Sequence, residues 1–266
     1  MQSVSLCDEV SVAITDFSRS DIVLHCCRSD IPTDGRNTAH KAAAAFMAAT
    51  GKRVSLAIDI NKRIPSQAGL GGGSADAAAV LVLLNILLET NLPAEHLIEI
   101  GAAVGADVPF CIVGGTGVCR GFGEKIERVS PLFPCFFVIV KPRRGVDTAT
   151  AFRGFDGLQN PARPDLGSAL SAISSGDVRS LGGALGNVFE QTLSEPARTE
   201  NESIKSALLS HGAAGAVMTG SGSCVFGLFH SQVEAEKCAA ALRESQGFEQ
   251  VDFCAPAKAG VLTETF

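Results

Sequence analysis

Apolar and polar residues alternate from Ser3 to Thr15, around Asp8-Glu9, and this period of two predicts a strand. "DIVLHCC" predicts a second strand after a turn at Asp16 to Ser20. Asn37 to Thr50 is rich in alanine and predicts a helix, with Gly51 as its stop. "RVSLAIDI", Arg53 to Ile60, sets Val54, Leu56, Ile58 and Ile60 against polar or small partners and predicts another strand. Ser74 to Glu89 is apolar nearly all round, the pattern of a buried helix. A further helix is predicted from about Pro93, with Gly105 past its end. From Gly114 to Arg128, glycines alternate with short strand-like pieces.

The pattern changes at "SPLFP", Ser130 to Pro134, which places a domain boundary near residue 130 and divides the chain into 1–130 and 131–266. Beyond it come a fully apolar strand, Cys135 to Pro142, and a helix near Thr148. Helices between Leu170 and Leu209, strands from Gly215 to Phe229, a helix from Gln232 to Ser245 and a strand near Val251 follow. Helix and strand alternate loosely, so an α+β fold with helices on one face of a sheet is expected.

Composition narrows the classes. Of 266 residues, 46% are apolar and 19% charged, enough apolar matter for a substantial core. A net charge of −6 without any Lys/Arg run argues against nucleic acid as a partner. Nine cysteines, an odd number with no C-x-x-C pair, predict reduced and mostly buried thiols rather than a metal site. The opening residues lack the basic region of a signal peptide, and the longest apolar run, Ala77 to Leu84, is too short for a bilayer. A cytoplasmic protein with no membrane partner is expected.

One stretch carries the chemistry: "IPSQAGLGGGSADAAAVL", with four glycines in five residues running directly into the buried helix. Helix N-termini carry unpaired N–H groups and partial positive charge. Glycines before such an end let backbone amides approach an anion without a Cβ in the way. Gly69, Gly71, Gly72 and Gly73, followed by Ser74 at the helix start, therefore predict a phosphate cradle. The alternative is a glycine-rich connection before a core helix. A P-loop would need Lys-Ser/Thr after the last glycine, and the dinucleotide fingerprint would need glycine at Ser74.

"PSQAGLGGGSADAAAVLVLLN" resembles the second signature of the GHMP kinases, P-x-x-x-G-L-G-[GS]-[GS]-S-x-x-A. "GADVPFCIVGGTGVCRGFGEKI", "GVDTATAF" and "MTGSGSCVFGLF" agree with that family in order and spacing. The triple glycine after Gly-Leu is similar to the members that phosphorylate a cytidine-diphosphate-linked methylerythritol on the non-mevalonate route to isoprenoid precursors. The resemblance implies a ribosomal protein S5 domain 2-like N-terminal domain and a ferredoxin-like C-terminal domain. It implies ATP and Mg²⁺ as cofactors, with ATP held by Pro65, Ser66, Gln67, Ala68, Gly69, Leu70, Gly71, Gly72, Gly73, Ser74 and Ala75. At the adenine end it implies Asn37 and Lys62, and no protein ligands to metal are expected.

Phosphoryl transfer needs a group to receive the hydroxyl proton, and the resemblance gives that role to Asp107 in G-A-D-V-P. Read alone, Asp107 serves equally as a helix cap, as do Ser74 and Asn37, and Lys62 reads as a solvated strand end. Thr148 and Phe152 lie four apart on one helix face. By resemblance Thr148 stands near the reacting end of the substrate and Phe152 against its cytosine, whereas spacing alone makes Phe152 core. The chain has no Tyr and no Trp, so stacking on a base must fall to Phe or His. Gly220, Ser221 and Gly222 form a second glycine turn, implied to close around the phosphates and the substrate diphosphate.

The family's pattern begins with a strand of the type P-A-K-I-N-L, which carries a catalytic lysine, and a D-G-Y-H segment. Met1-Gln2-Ser3 stands after both. The expectation is either a reading frame that starts upstream or a short form impaired in turnover, with an exposed sheet edge. The alternatives are therefore another GHMP small-molecule kinase, or a nucleotide-binding form without activity.

Overall fold

The structure, a computed structural model, describes residues 1–264. Strands β1 (Glu9–Asp16) and β2 (Ile22–Cys26), helix α1 (Thr38–Thr50) and strand β3 (Ser55–Asn61) open the fold. The strands form one sheet in the order β1-β3-β2. β3 runs antiparallel to β1, with Val12 opposite Ile58, and parallel to β2, with Leu24 opposite Ile58. A parallel pair needs a crossover, and α1 supplies it. Asn37 caps α1 and left-handed Gly51 ends it, as the sequence predicts.

Leu56, Ile58 and Ile60 point to one face of β3 and pack under α1 and α2 (Gly72–Leu87). α2 is buried through Ala77, Ala78, Val80, Leu81 and Leu84, so it is the central helix of this half. Truncating such a fully buried leucine costs roughly 2–5 kcal/mol. Helices α3 (Ala94–Val104) and α4 (Val108–Val113) follow, then a hairpin of β4 (Gly117–Arg120) and β5 (Lys125–Arg128).

The expected first strand, Ser3 to Thr15, is regular only from Glu9. Before it, Ser3 N–H donates to Gly115 O at 2.9 Å and Ser5 N–H to Ala255 O at 2.9 Å. These residues stitch the hairpin region to the end of the chain instead of pairing with β3.

Strand β6 (Phe136–Lys141) begins the second half, followed by α5 (Thr148–Asp156), α6 (Leu166–Ser175), α7 (Val178–Ala184) and a 3-10 turn at Val188–Thr192. Then come α8 (Glu195–Ser210), β7 (Gly215–Met218), β8 (Val225–Phe229), α9 (Gln232–Glu244) and β9 (Gln250–Cys254). The sheet is antiparallel in the order β7-β8-β6-β9. Val138 and Val140 of β6 pack against Ile204 and Leu208 of α8 and Ala239 and Leu242 of α9. Phe137 and Ile139, on the opposite face, meet Ala172 of α6, Leu181 of α7 and Ala68 and Leu70 of the glycine segment. The expectation of helices on one face therefore fails for this sheet. A strand apolar on both sides must be covered on both, and part of the second cover comes from the first half of the chain.

All nine cysteines are free; Cys135, Cys224, Cys238 and Cys254 are buried, while Cys7 and Cys27 are exposed. Among the described residues no helix is long and apolar enough to cross a membrane.

Candidate active site

Helix α2 starts at Gly72, two residues before the expected start at Ser74, because Gly71 turns left-handed (φ 68°, ψ 19°) and takes the N-cap position. No side chain caps it, so first-turn amides are left for a ligand. Ala75 N–H is already committed to Gly71 O at 2.9 Å, which bounds the free amides on that side. A Cβ added at Gly71 would meet nothing within 4 Å, so this is the glycine that faces open space. The other three serve packing. At Gly72 a Cβ would lie 2.9 Å from Ile64 Cγ2, at Gly73 3.0 Å from Thr38 Oγ1, and at Gly69 it would overlap the Thr219 carbonyl.

That last contact joins the two glycine turns. Thr219 Oγ1 donates to Gly69 O at 3.0 Å, and Cys224 N–H donates to Ala68 O at 3.1 Å. Pro65 and Ala68 are buried, and Gln67 bends through a positive φ of 50° with its side chain near Gly145. Ser66 keeps a buried hydroxyl without a partner. The segment from Pro65 to Leu70 thus builds the loop's seat, and Gly71 to Ser74 form its open mouth.

Thr148, at the start of α5, shares a hydrogen bond of 3.0 Å with the Ser221 hydroxyl, so the structure brings together two residues named from separate motifs. Asn187 Nδ2 donates to Met218 O at 2.7 Å and to Gly220 O at 2.8 Å, fixing the turn from behind. Phe152 is 52% exposed and meets Phe189 edge to face at 4.9 Å, which removes the core reading and leaves its outer face free. Sequence reasoning missed Asn187, Phe189 and Thr219. Asn187 precedes a short apolar run as a cap would, and that was its only signal.

Asp107 lies between α3 and α4 in helical conformation (φ −88°, ψ −11°) and makes no capping bond, so the capping alternative fails. Burial alone raises its carboxyl above the usual carboxylate range. The β4–β5 turn comes close: a Cβ at Gly123 would lie 3.6 Å from Asp107 Oδ1. Two residues before Asp107, a Cβ at Gly105 would lie 3.9 Å from Ser74 Oγ. The first turn of α2 and the free carboxylate are therefore neighbours.

Asn37 and Lys62 are committed elsewhere. Asn37 Oδ1 accepts from Ala39 N–H at 2.8 Å and its Nδ2 donates to Pro32 O at 2.7 Å, both ends satisfied by the chain. Lys62 is not a solvated strand end: its side chain is 4% exposed. Its ammonium donates to Asp76 Oδ2 at 2.8 Å and also to Asp8 Oδ2. Burial pushes the Asp76 carboxyl up to about 7 against the pull of Lys62. Burial also works to lower Lys62, but Asp76 and Asp8 raise it above its ordinary value. Asp8 and Asp76 went unnoticed in the sequence, although an Asp inside an otherwise apolar helix was a visible anomaly. Among the described residues no group of His, Cys, Asp and Glu could hold a metal ion.

A family model for the GHMP kinases N terminal domain matches residues 37–115, and one for the GHMP kinases C terminal matches residues 169–246. A 4-diphosphocytidyl-2-C-methyl-D-erythritol kinase of Exiguobacterium sibiricum is 40% identical over 243 residues, 91% of this chain and 84% of the relative. The kinase of the same name from Caldicellulosiruptor bescii is 38% identical over the same shares. A crystal structure of 4-(cytidine 5'-diphospho)-2C-methyl-D-erythritol kinase matches with a TM-score of 0.77 at 29% identity, over 96% of this chain and 88% of that one. Homoserine kinase from Cytophaga hutchinsonii has the same fold, with a TM-score of 0.77 at 22% identity over 97% and 89% of the two chains.

Proposed function

The chain belongs to the GHMP kinases, and from that premise we propose that it transfers phosphate from ATP to the 2-hydroxyl of 4-diphosphocytidyl-2-C-methyl-D-erythritol. The observation that carries this reading is the juxtaposition of an uncapped helix start, open at Gly71, with a free, half-buried carboxylate at Asp107. One binds phosphate and the other accepts a proton. Phosphoryl transfer asks the protein for little beyond those two services and correct placement.

In this reading the amides of Gly71 to Ser74 hold the ATP phosphates. The Ser74 hydroxyl contacts the same phosphates, and Mg²⁺ bound with ATP would supply neutralisation of their charge. Asp107 takes the proton of the attacking hydroxyl; its raised carboxyl suits that task better than an ordinary one, since a stronger base receives the proton more readily. Thr148 and Ser221 position the acceptor, and the exposed face of Phe152 stacks on its cytosine. Residues 1–130 carry the phosphate loop and the base, and residues 131–266 supply most of the acceptor side.

The test is direct. The purified chain is given ATP, Mg²⁺ and one of three alcohols: the cytidine-linked methylerythritol, homoserine or mevalonate. Phosphorus NMR should show a new phosphomonoester with the first alone. Transfer to homoserine or mevalonate would make it a different kinase of the family. ATP binding without transfer to any of them would leave a nucleotide-binding protein.

A further inference from the structure

The mechanism leaves one buried charged cluster unused. Lys62 follows the end of β3, just before the glycine segment, and Asp76 lies in the second turn of α2, just after it. The bond from Lys62 Nζ to Asp76 Oδ2, 2.8 Å long, thus closes the chain across the whole loop. Asp8, immediately before β1, anchors the entry side. Its Oδ2 accepts from Lys62, and its Oδ1 accepts from the backbone N–H of Arg63 at 2.6 Å and of Ile64 at 2.8 Å. The side chains of Lys62, Asp8 and Asp76 are 4%, 2% and 5% exposed, so water neither screens nor replaces these bonds. The ammonium lies directly under the loop, 3.2 Å from where a Cβ on Gly72 would stand.

Asp76 Oδ1 is buried and has no partner. Among the described residues, the hydrogen bond that holds the ionised Asp76 carboxylate is the one from Lys62 to Oδ2. A buried carboxylate kept with half its bonding capacity unused costs stability unless the remaining bond does something specific.

We propose that Asp76 and Asp8 are positioning residues for phosphate binding, acting through Lys62 as a clamp that fixes the entry and exit of the glycine loop. This rests on the reading of that loop as the ATP phosphate site. The clamp touches no reacting atom. It keeps the α2 amides and Gly71 in the arrangement that meets the phosphates, so that ATP binding does not have to order the loop.

Two substitutions that remove the same charge separate the tether from electrostatics. Asp76→Asn keeps an oxygen for Lys62 to bond, whereas Asp76→Ala does not. Calorimetric titration should show ATP affinity falling by about tenfold or more in Asp76→Ala and staying within about threefold in Asp76→Asn, with adenosine affinity equal in both. A general structural defect would lower the melting temperature without separating ATP from adenosine. If Asp76→Ala does not fold, Asp76→Leu, which keeps the branched shape without an oxygen, takes its place with the same expected loss. Equal ATP affinity for the apolar variant and Asp76→Asn overturns the clamp. Gly71→Asp runs alongside as the control on the loop itself. If it binds ATP as the unaltered protein does, the phosphate-loop reading falls, and the clamp with it. If it loses ATP while the apolar Asp76 variant keeps it, the clamp alone falls.

Discussion

Thr148 and Ser221, 73 residues apart, share one hydrogen bond of 3.0 Å between their hydroxyls, and it ties the start of α5 to the second glycine turn. Thr148 is exposed and Ser221 half-buried, so the bond lies at the surface rather than in a core. Either hydroxyl can turn from its neighbour toward a ligand.

Removing that pair should show as lost coupling. Thr148→Val and Ser221→Ala are each expected to cost about 0.5–1.5 kcal/mol in kcat/KM for the acceptor, and the double variant less than their sum. Steady-state kinetics of the four proteins provide the cycle. Strict additivity would mean that the two hydroxyls act separately.

Asp107→Asn should lower turnover by roughly a hundred- to ten-thousandfold while ATP still binds. Stability should move the other way. The folded carboxyl titrates above the unfolded one, so the native state holds the extra proton between the two values. Stability then falls as pH rises through that window, and above it the ionised, half-buried group is a standing cost. The Asn variant escapes this cost and should melt no lower than the parent at pH 7. Its melting curve should also be flatter across the acid range. A lower melting temperature with turnover intact would make Asp107 a structural residue.

Gly71→Asp should abolish measurable ATP binding and leave the fold standing. Aspartate tolerates the left-handed backbone better than most residues, and its side chain enters open space, where it places a negative charge against the phosphates. Circular dichroism and calorimetric titration together decide it. Undiminished ATP affinity in the folded variant removes the loop from the mechanism.

Phe152→Ala should weaken the cytidine-linked acceptor with little effect on ATP. Losing one base–aromatic stack costs about 1–3 kcal/mol, or roughly a ten- to hundredfold rise in KM. Phe152→Leu retains apolar contact with Phe189 but not the stacking face, so it should resemble the Ala variant in KM and the parent in melting temperature. Parental KM in both would return Phe152 to a packing role.

Most elements were legible in the sequence because their causes are local. Asn37 and Gly51 bracket α1, alternation marks β3, and the Ala-rich run after the glycines is a helix. What was misread depends on partners far along the chain. Four glycines in five residues do not reveal which of them face open space. Gly69 and Gly71 both turn left-handed, but Gly69 is crowded by Thr219 and Gly72 by Ile64, so only the turn at Gly71 is open, and α2 begins before Ser74. Lys62 looked solvated because the carboxylates that bury it lie 54 residues before and 14 after. Asp107 was ambiguous between cap and base. Its idle carboxylate, visible only in three dimensions, settles against the cap.

The contact between Gly69 and Thr219 spans 150 residues, and this separation sets an order of events during synthesis. A ribosome adding about 5–20 residues per second releases the glycine segment many seconds before Thr219 is made. Until then the carbonyls of Ala68 and Gly69 lack the Cys224 N–H and Thr219 hydroxyl that hold them, and the seat is unfinished. Loop closure over such a distance comes late in folding. A nascent chain stalled before β8 is therefore expected to fold its first sheet with the glycine segment still unfixed, and on the proposed reading to bind ATP only once the second glycine turn has been made.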